Sequence, residues 1–382
     1  ERALFYSLFA RLLAGPADLG VDQEFPLWKS GVRHFTDYYC LWDSVRNANS
    51  LLSLFDPERE AELLNCLLDV AEKTGWLPDA WIAGHSAMIQ GGSSADILFC
   101  EAKEKGICGI DYEKALRYMR KNNEQPSPDT WLYGRYTGDY HTYGYLTSDH
   151  VPTSCVSRHL EYTYQDRCIG RLAQLLGKED VAARYRKEAG KIWNLWRDDV
   201  KCFAPRKVGG GWTTFDPEAF SHPHHSFDPY YYEATGRCWA FHAWQDFPEL
   251  VRRFGGAEAF VRALDAFFDQ DQYDSKEMML HVPWLYHYAG RPDLSVRRVR
   301  ECMRRYFAPG PDGLADNEDM GCQSAFYMCA AMGAYPMMGQ DLYLLGAPVF
   351  ESVEVALGRS GKTLRIEAPA HDDGAFVDEI YL

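Results

Sequence analysis

The chain has 382 residues, a formal charge of −15, and many aromatics: 24 Tyr, 20 Phe and 11 Trp. That length suits two ordinary domains or one large toroid or barrel. The acidic balance argues against a nucleic-acid partner, because phosphate binding needs a basic surface, and no apolar run reaches membrane-spanning length. The 11 cysteines include no CxxC and no Cys/His spacing typical of zinc. Cys66, Cys100, Cys168 and Cys329 fall in apolar or helical patterns, where Cys acts as a small buried hydrophobe. This usage leans towards a reducing compartment. A start at Glu1 and an end inside the strand-like run 375–382 read as a piece of a longer protein, so a secreted or periplasmic setting stays open.

In chain order, residues 3–14 place Leu4, Phe5, Leu8, Phe9, Leu12 and Leu13 on one helical face. Trp42 and Asp43 stand between two apolar stretches. Residues 58–74 predict an amphipathic helix through Leu63, Leu64, Leu67, Leu68 and Ala71, ended by Gly75. Helices follow at 96–105 and 111–121. The Tyr-rich segment 124–154 reads as irregular, and a strong helical pair covers 157–176 and 179–197. After a polar, Gly-rich excursion at 199–217, helices resume at 235–254, 257–270, 294–307 and 320–333. From Leu342 the pattern changes to short alternating runs, SVEVALG and KTLRIEAP, which predict strands. No self-similar repeat supports a solenoid. Ten to twelve helices of similar length with long polar loops predict an (α/α)₆ toroid over 1–340, followed by short β-strands over 341–382.

Stretch 311–339 concentrates the chemistry. A turn at Pro311, Asp312 and Gly313 leads into Asp316, Asn317, Glu318 and Asp319, and Gly321 then opens a helix that reads as buried. Asp316 or Asn317 suits the cap that such a helix end requires. Three carboxylates in four residues exceed one cap and suit acid–base work or a hard cation. Glu233 follows three tyrosines. Such an aromatic shell desolvates a carboxyl and favours the protonated form that a general acid requires, yet a helix-start Glu near a positive dipole end reads equally well. Lys276 and Glu277, with His281 close behind, read either as a solvated pair or as substrate-orienting groups. Trp42 beside Asp43 is either a sugar platform with a hydroxyl acceptor or a core Trp with a capping Asp.

Together these stretches resemble glycoside hydrolase family 92, the calcium-dependent exo-acting α-mannosidases. YYCLWDSVRNANSLLSLFDPE is similar to the family's sugar-binding Leu-Trp-Asp segment, and GWLP through GGSSADILFCEAKEKGI to its next block. VSRHLEYTYQDRCIGRLAQLLGK resembles its Ser-Arg-x-Leu-Glu-Tyr helix, and PDGLADNEDMGCQSAFYMCAAMGAYP its hallmark acidic block. The resemblance runs in order from residue 3 to the end. It implies an (α/α)₆ catalytic domain, a preceding β-sandwich that is absent here, and C-terminal sandwich strands cut short. It implies Glu233 as general acid and Asp319 as general base, with Asn317 where many members have a second Asp. Trp42 and Asp43 match mannose-holding residues, and Glu277 with His281 matches a block near the leaving group. Ca²⁺ is the implied cofactor, with ligands that the sequence does not assign.

This chain departs from the family at several points. Lys276-Glu277-Met278 stands for Asn-Glu-Pro, Ala234-Thr235-Gly236-Arg237 for Gly-Asn-x-Trp, and Ser94 for a common His. Lys276 and Arg237 are cations suited to an anionic substrate group such as phosphate. Two other functions compete with the hydrolase: a glycoside phosphorylase, and a carbohydrate-binding remnant without turnover.

Overall fold

The computed structural model describes residues 1–21, 30–38, 40–224, 227–369, 377 and 379–381. Half of the strand-like run 375–382, residues 375, 376, 378 and 382, lies outside the described residues. Helix α1 (Arg2–Leu12) buries Leu4, Leu8 and Leu12, one residue per turn. A single turn, α2 (Leu41–Ser44), precedes α3 (Ala48–Phe55) and α4 (Pro57–Thr74). The Asp56 side chain accepts from the Arg59 amide, Pro57 occupies the first turn of α4, and left-handed Gly75 ends it.

Two helical pairs follow: α5 (Ala95–Glu104) with α6 (Tyr112–Glu124), then, after short α7 (Thr137–Tyr143), α8 (Cys155–Leu175) with α9 (Glu179–Ala189). Next come α10 (Gly236–Trp239), α11 (Phe247–Phe254) and α12 (Ala257–Asp269). A 3₁₀ stretch at Val282–Ala289 packs on α13 (Pro292–Tyr306), and α14 (Cys322–Met332) packs on α1, α3 and α13 to close the ring.

All of α14 and most of α5 and α8 are buried, so these form the inner wall with α3, α10 and Val282–Ala289. A helix buried all round is enclosed by protein, whereas α6, α9, α12 and α13 bury one stripe and form the outer layer with α1 and with α4, which is covered all round only over 66–71. The architecture is an (α/α)₆ toroid. At its C-terminal edge Ser352–Ala356 pairs antiparallel with Thr363–Glu367, in the two runs where the alternation predicts strands.

Four local expectations change. The helix expected over 235–254 is broken, because Pro248 cannot continue a helix and the Asp246 side chain caps a new one through the Glu249 amide. The second helix of the 157–197 pair stops at Ala189 and tightens into a 3₁₀ turn, Gly190–Leu195. Segment 124–154 contains α7 and is pinned to the wall by buried Arg135, which bonds Asp96 at 2.7 Å and Asp166 at 2.8 Å. The cap of α14 is neither Asp316 nor Asn317: Glu318 Oε1 accepts from the Ser324 amide at 3.1 Å.

Candidate active site

Four chain segments converge on one site. In the first, the Leu41 amide donates to Asp79 O, and α2 then carries Trp42, Asp43 and, just past its end, Arg46. In the second, Gln323 of α14 donates Nε2 to Ser275 O at 2.5 Å, holding the loop that presents Lys276 and Glu277. The third is the turn before α14, where Asp319 (φ 23°), Met320 (φ 58°) and Gly321 (φ 85°) are successively left-handed. A Cβ on Gly321 would lie 2.7 Å from Leu12 Cδ1, so only glycine lets α1 approach this turn.

The fourth segment carries Glu233. Asp228 Oδ1 accepts the Tyr230 and Tyr231 amides. The Tyr232 amide donates to Ser157 Oγ, and Trp239 Nε1 donates to Tyr232 O. The residue before Glu233 is thus held at both its N–H and its C=O, and Glu233 itself has φ 52°. Left-handed backbone at non-glycine residues costs roughly 1–3 kcal/mol and collects at functional sites. Glu233, Ser275 and Asp319 all show it.

One carboxylate oxygen each from Asp43, Glu277 and Asp319 lie within 4.8 Å of one another. Asp43 is 0% exposed. Apart from an interaction with the Cys40 thiol, neither of its oxygens accepts a hydrogen bond, and Glu277 Oε1 accepts none. Burial, then the charges of Glu277 and Asp319, hold the Asp43 carboxyl well above its usual range. Burial, then chiefly Asp316, Asp319 and Glu233, push Glu277 up to about 8. Burial, Glu233 and Asp316 also raise Asp319. Three crowded carboxylates, two of them buried with orphaned oxygens, are the donor set of a hard divalent cation, which would reverse this destabilisation. The residues therefore fit Ca²⁺.

Above this cluster, Glu233, Lys276, Glu277, Asp316, Asn317 and Asp319 line an open cleft of about 320 Å³, completed by Pro223 and His224. That volume lies at the low end of the roughly 300–1,000 Å³ of small-ligand pockets. Lys276 Nζ lies 3.8 Å from Asp316 Oδ2. Arg237 is not in this lining; it pairs with Glu218 and donates to Val200 O.

Trp42 and His281, both 1% exposed, lie behind the cleft rather than on its surface. His281 Nε2 donates to Phe241 O at 3.1 Å, and burial holds the imidazole well below its usual pKa, hence neutral. Trp42 is turned inward: its Nε1 donates to Glu161 Oε1 at 2.9 Å, and its ring packs against Tyr232 and Trp239. Arg46 Nη2 reaches the same Glu161 oxygen at 2.9 Å, and His242 Nε2 lies 3.1 Å from it. Sequence reasoning missed Glu161 and Arg46 as parts of this site. Both stand inside family-like blocks, and that was their only signal.

The sequence profile of the glycosyl hydrolase family 92 catalytic domain matches residues 1–382. The chain belongs to glycoside hydrolase family 92. Among solved structures, this GH92 chain is similar to the family GH92 inverting mannosidase BT2199 of Bacteroides thetaiotaomicron, at TM-score 0.88 and 25% identity. The match covers 97% of this chain and 54% of that one. It is also similar to the α-mannosidase BT3965 of the same organism, solved with mannoimidazole, at TM-score 0.89 and 25% identity, over 99% and 54% of the two chains. An uncharacterized secreted glycosidase of Arthroderma benhamiae is 29% identical over 394 residues, covering 95% of this chain and 47% of that protein. The chain thus spans about half the length of these relatives.

The Glu161 network of the GH92 domain has a pH signature. Burial opposes ionisation of Glu161, but His242, Arg46 and Trp42 outweigh it and lower the carboxyl to about 2, from an ordinary 4.5. A depressed carboxyl adds stability that is complete above its unfolded pKa and is lost as pH falls through the folded one. Melting temperatures should therefore fall between about pH 4.5 and about pH 2. Glu161→Gln should remove part of that slope, and equal slopes in both proteins would exclude the network as its source.

Proposed function

We propose that this GH92 chain forms the catalytic part of an inverting α-mannosidase that removes terminal α-linked mannose from glycans with Ca²⁺ assistance. The observation that carries the reading is one small cleft joining Glu233, on strained backbone, to the Asp43–Glu277–Asp319 cluster. In this reading Glu233 hands its proton to the departing glycosidic oxygen. Asp319, the least buried of the three clustered carboxylates, takes the proton from an attacking water on the opposite face. The inverting reading expects the two carboxyls roughly 6.5–9.5 Å apart, leaving room for that water. Asn317 lines the same cleft and supplies an amide to orient water or sugar. Asp43 and Glu277 would hold Ca²⁺ together with Asp319. The bound ion would supply Lewis-acid charge and a template for the mannose hydroxyls. Trp42 and His281 act from behind, as packing that keeps these groups in place.

The charges favour a neutral mannoside over a phosphate-bearing one. Lys276 faces Asp316, Arg237 is engaged by Glu218, and four carboxylates line the cleft. The missing half of the relatives' length accommodates the expected N-terminal β-sandwich. An apolar groove of about 660 Å³ between α1 and strand Ser352–Ala356, lined by Phe5, Phe9, Met328 and Phe350, supports a domain packed there. The division at 340/341 belongs to the same proposal. The secreted Arthroderma relative supports secretion. Among the described residues, no helix is long and apolar enough to cross a membrane.

The test is a panel of α-1,2, α-1,3, α-1,4, α-1,6 and phosphate-bearing mannosides, with the anomer of the released sugar read by NMR. Release of β-mannose is expected. Sugar phosphate formed on adding phosphate would mark a phosphorylase, and binding without release a carbohydrate-binding remnant.

A further inference from the structure

Glu161 lies on α8 and is absent from the cleft lining, yet it bonds two residues that flank Asp43 of the acidic cluster. Its side chain and that of Arg46 are each 1% exposed. A single oxygen, Oε1, takes Trp42 Nε1 and Arg46 Nη2, each at 2.9 Å. These donors stand one residue before and three residues after Asp43. The Arg46 guanidinium lies 4.5 Å from the Trp42 ring centroid, and the Arg46 amide donates to Asp43 O at 2.9 Å. Helix α2 is one turn long and has no side-chain cap. A single turn does not hold its own direction, because helix nucleation is unfavourable without outside contacts. Gly91 closes over the pair: a Cβ there would lie 2.4 Å from Trp42 Cδ1 and 3.2 Å from Glu161 Cγ.

We propose that Glu161 is a positioning residue of the acidic site: by gripping Trp42 and Arg46 on either side of Asp43, it sets the direction in which the Asp43 carboxylate meets Glu277 and Asp319. The functional consequence rests on the mannosidase reading above; the geometric claim stands apart from it. The competing account is a buried ion network that only stabilises the fold.

Glu161→Gln keeps the shape and one acceptor oxygen but removes the charge that binds the guanidinium. In the full-length protein, below its melting temperature, the variant should bind Ca²⁺ about 10–100-fold more weakly by calorimetry, the usual effect of losing an outer-shell partner. Its crystal structure should show the Asp43 carboxylate turned away from Glu277 and Asp319. Trp42→Phe, which removes the Nε1 donor together with one ring of the buried indole, should shift both readouts the same way. The double variant should be worse than either single change but by less than their sum, because both grips act through the one Glu161 side chain. Unchanged Ca²⁺ affinity and an unmoved Asp43, with only a lower melting temperature, would overturn the proposal. A wild-type protein that binds no Ca²⁺ and cleaves no mannoside would instead sink the functional reading, and the Asp43 position would still decide this one. Should Glu161→Gln fail to fold, the same two measurements on Trp42→Phe decide.

Discussion

Glu233→Gln is expected to nearly abolish hydrolysis of a natural mannoside while sparing much of the rate on an aryl mannoside with an acidic phenol. A sugar alkoxide leaves poorly without a proton, and general-acid help is typically worth about 10²–10⁴-fold. An acidic phenolate departs unaided, so the amide costs little there. Asp319→Asn should lose activity on both substrates, since water must be activated either way. Glu233 lies close enough to raise the carboxyls of both Asp319 and Glu277, so the acid acts on the same small space as the base. Initial rates on paired alkyl and aryl mannosides provide the check. Equal impairment of Glu233→Gln on both, with Asp319→Asn spared on the aryl substrate, would show the two roles to be reversed.

The candidate site was legible in the sequence where its residues lie in short blocks near a loop, and illegible where burial decides. Asp319, Asn317 and Glu233 stand near Gly or Pro residues in the sequence, and with Glu277 they line one cleft. Trp42 is different, because a Trp-Asp dipeptide does not say which side chain faces the opening. The turn buries both: Trp42 goes to Glu161, and Asp43 joins the acidic cluster. Glu161 was hidden for a related reason. On α8 it follows a helical pattern, and only the ring closure brings residues 42, 46 and 242 to it. The break inside 235–254 did carry a local signal, since Asp246-Phe247-Pro248 is a capping residue with Pro in the next turn. Apolar periodicity on both sides of it masked the restart. The left-handed conformations of Glu233 and Asp319 carry no sequence signal, because neither residue is the glycine that usually marks such backbone.

Chelation should abolish turnover, and added Ca²⁺ should restore it, with Mg²⁺ a poor substitute. Without a divalent charge, Glu277 and Asp319 raise the cost of ionising Asp43, and Asp319 that of ionising Glu277, in a site that also desolvates all three. Asp43 has no compensation of its own beyond the Cys40 thiol and the more distant charge of Arg46. A cation held among the three removes that cost and satisfies the orphaned oxygens together. Calcium suits the irregular set because it accepts six to eight oxygens in flexible geometry, whereas magnesium demands a near-ideal octahedron and dehydrates reluctantly. Asp43→Asn keeps the shape and removes one charge from the deepest position. It should weaken Ca²⁺ binding by at least the roughly 10–100-fold that losing an outer-shell partner costs, and raise the Ca²⁺ needed for half-maximal rate in step. Because Asp43 is absent from the cleft lining, KM at saturating Ca²⁺ should change less than the Ca²⁺ requirement. Calorimetry and rate measurements across a calcium series test both statements. Full activity of the wild type in excess chelator, with no metal retained by elemental analysis, would leave the cluster without the role assigned to it.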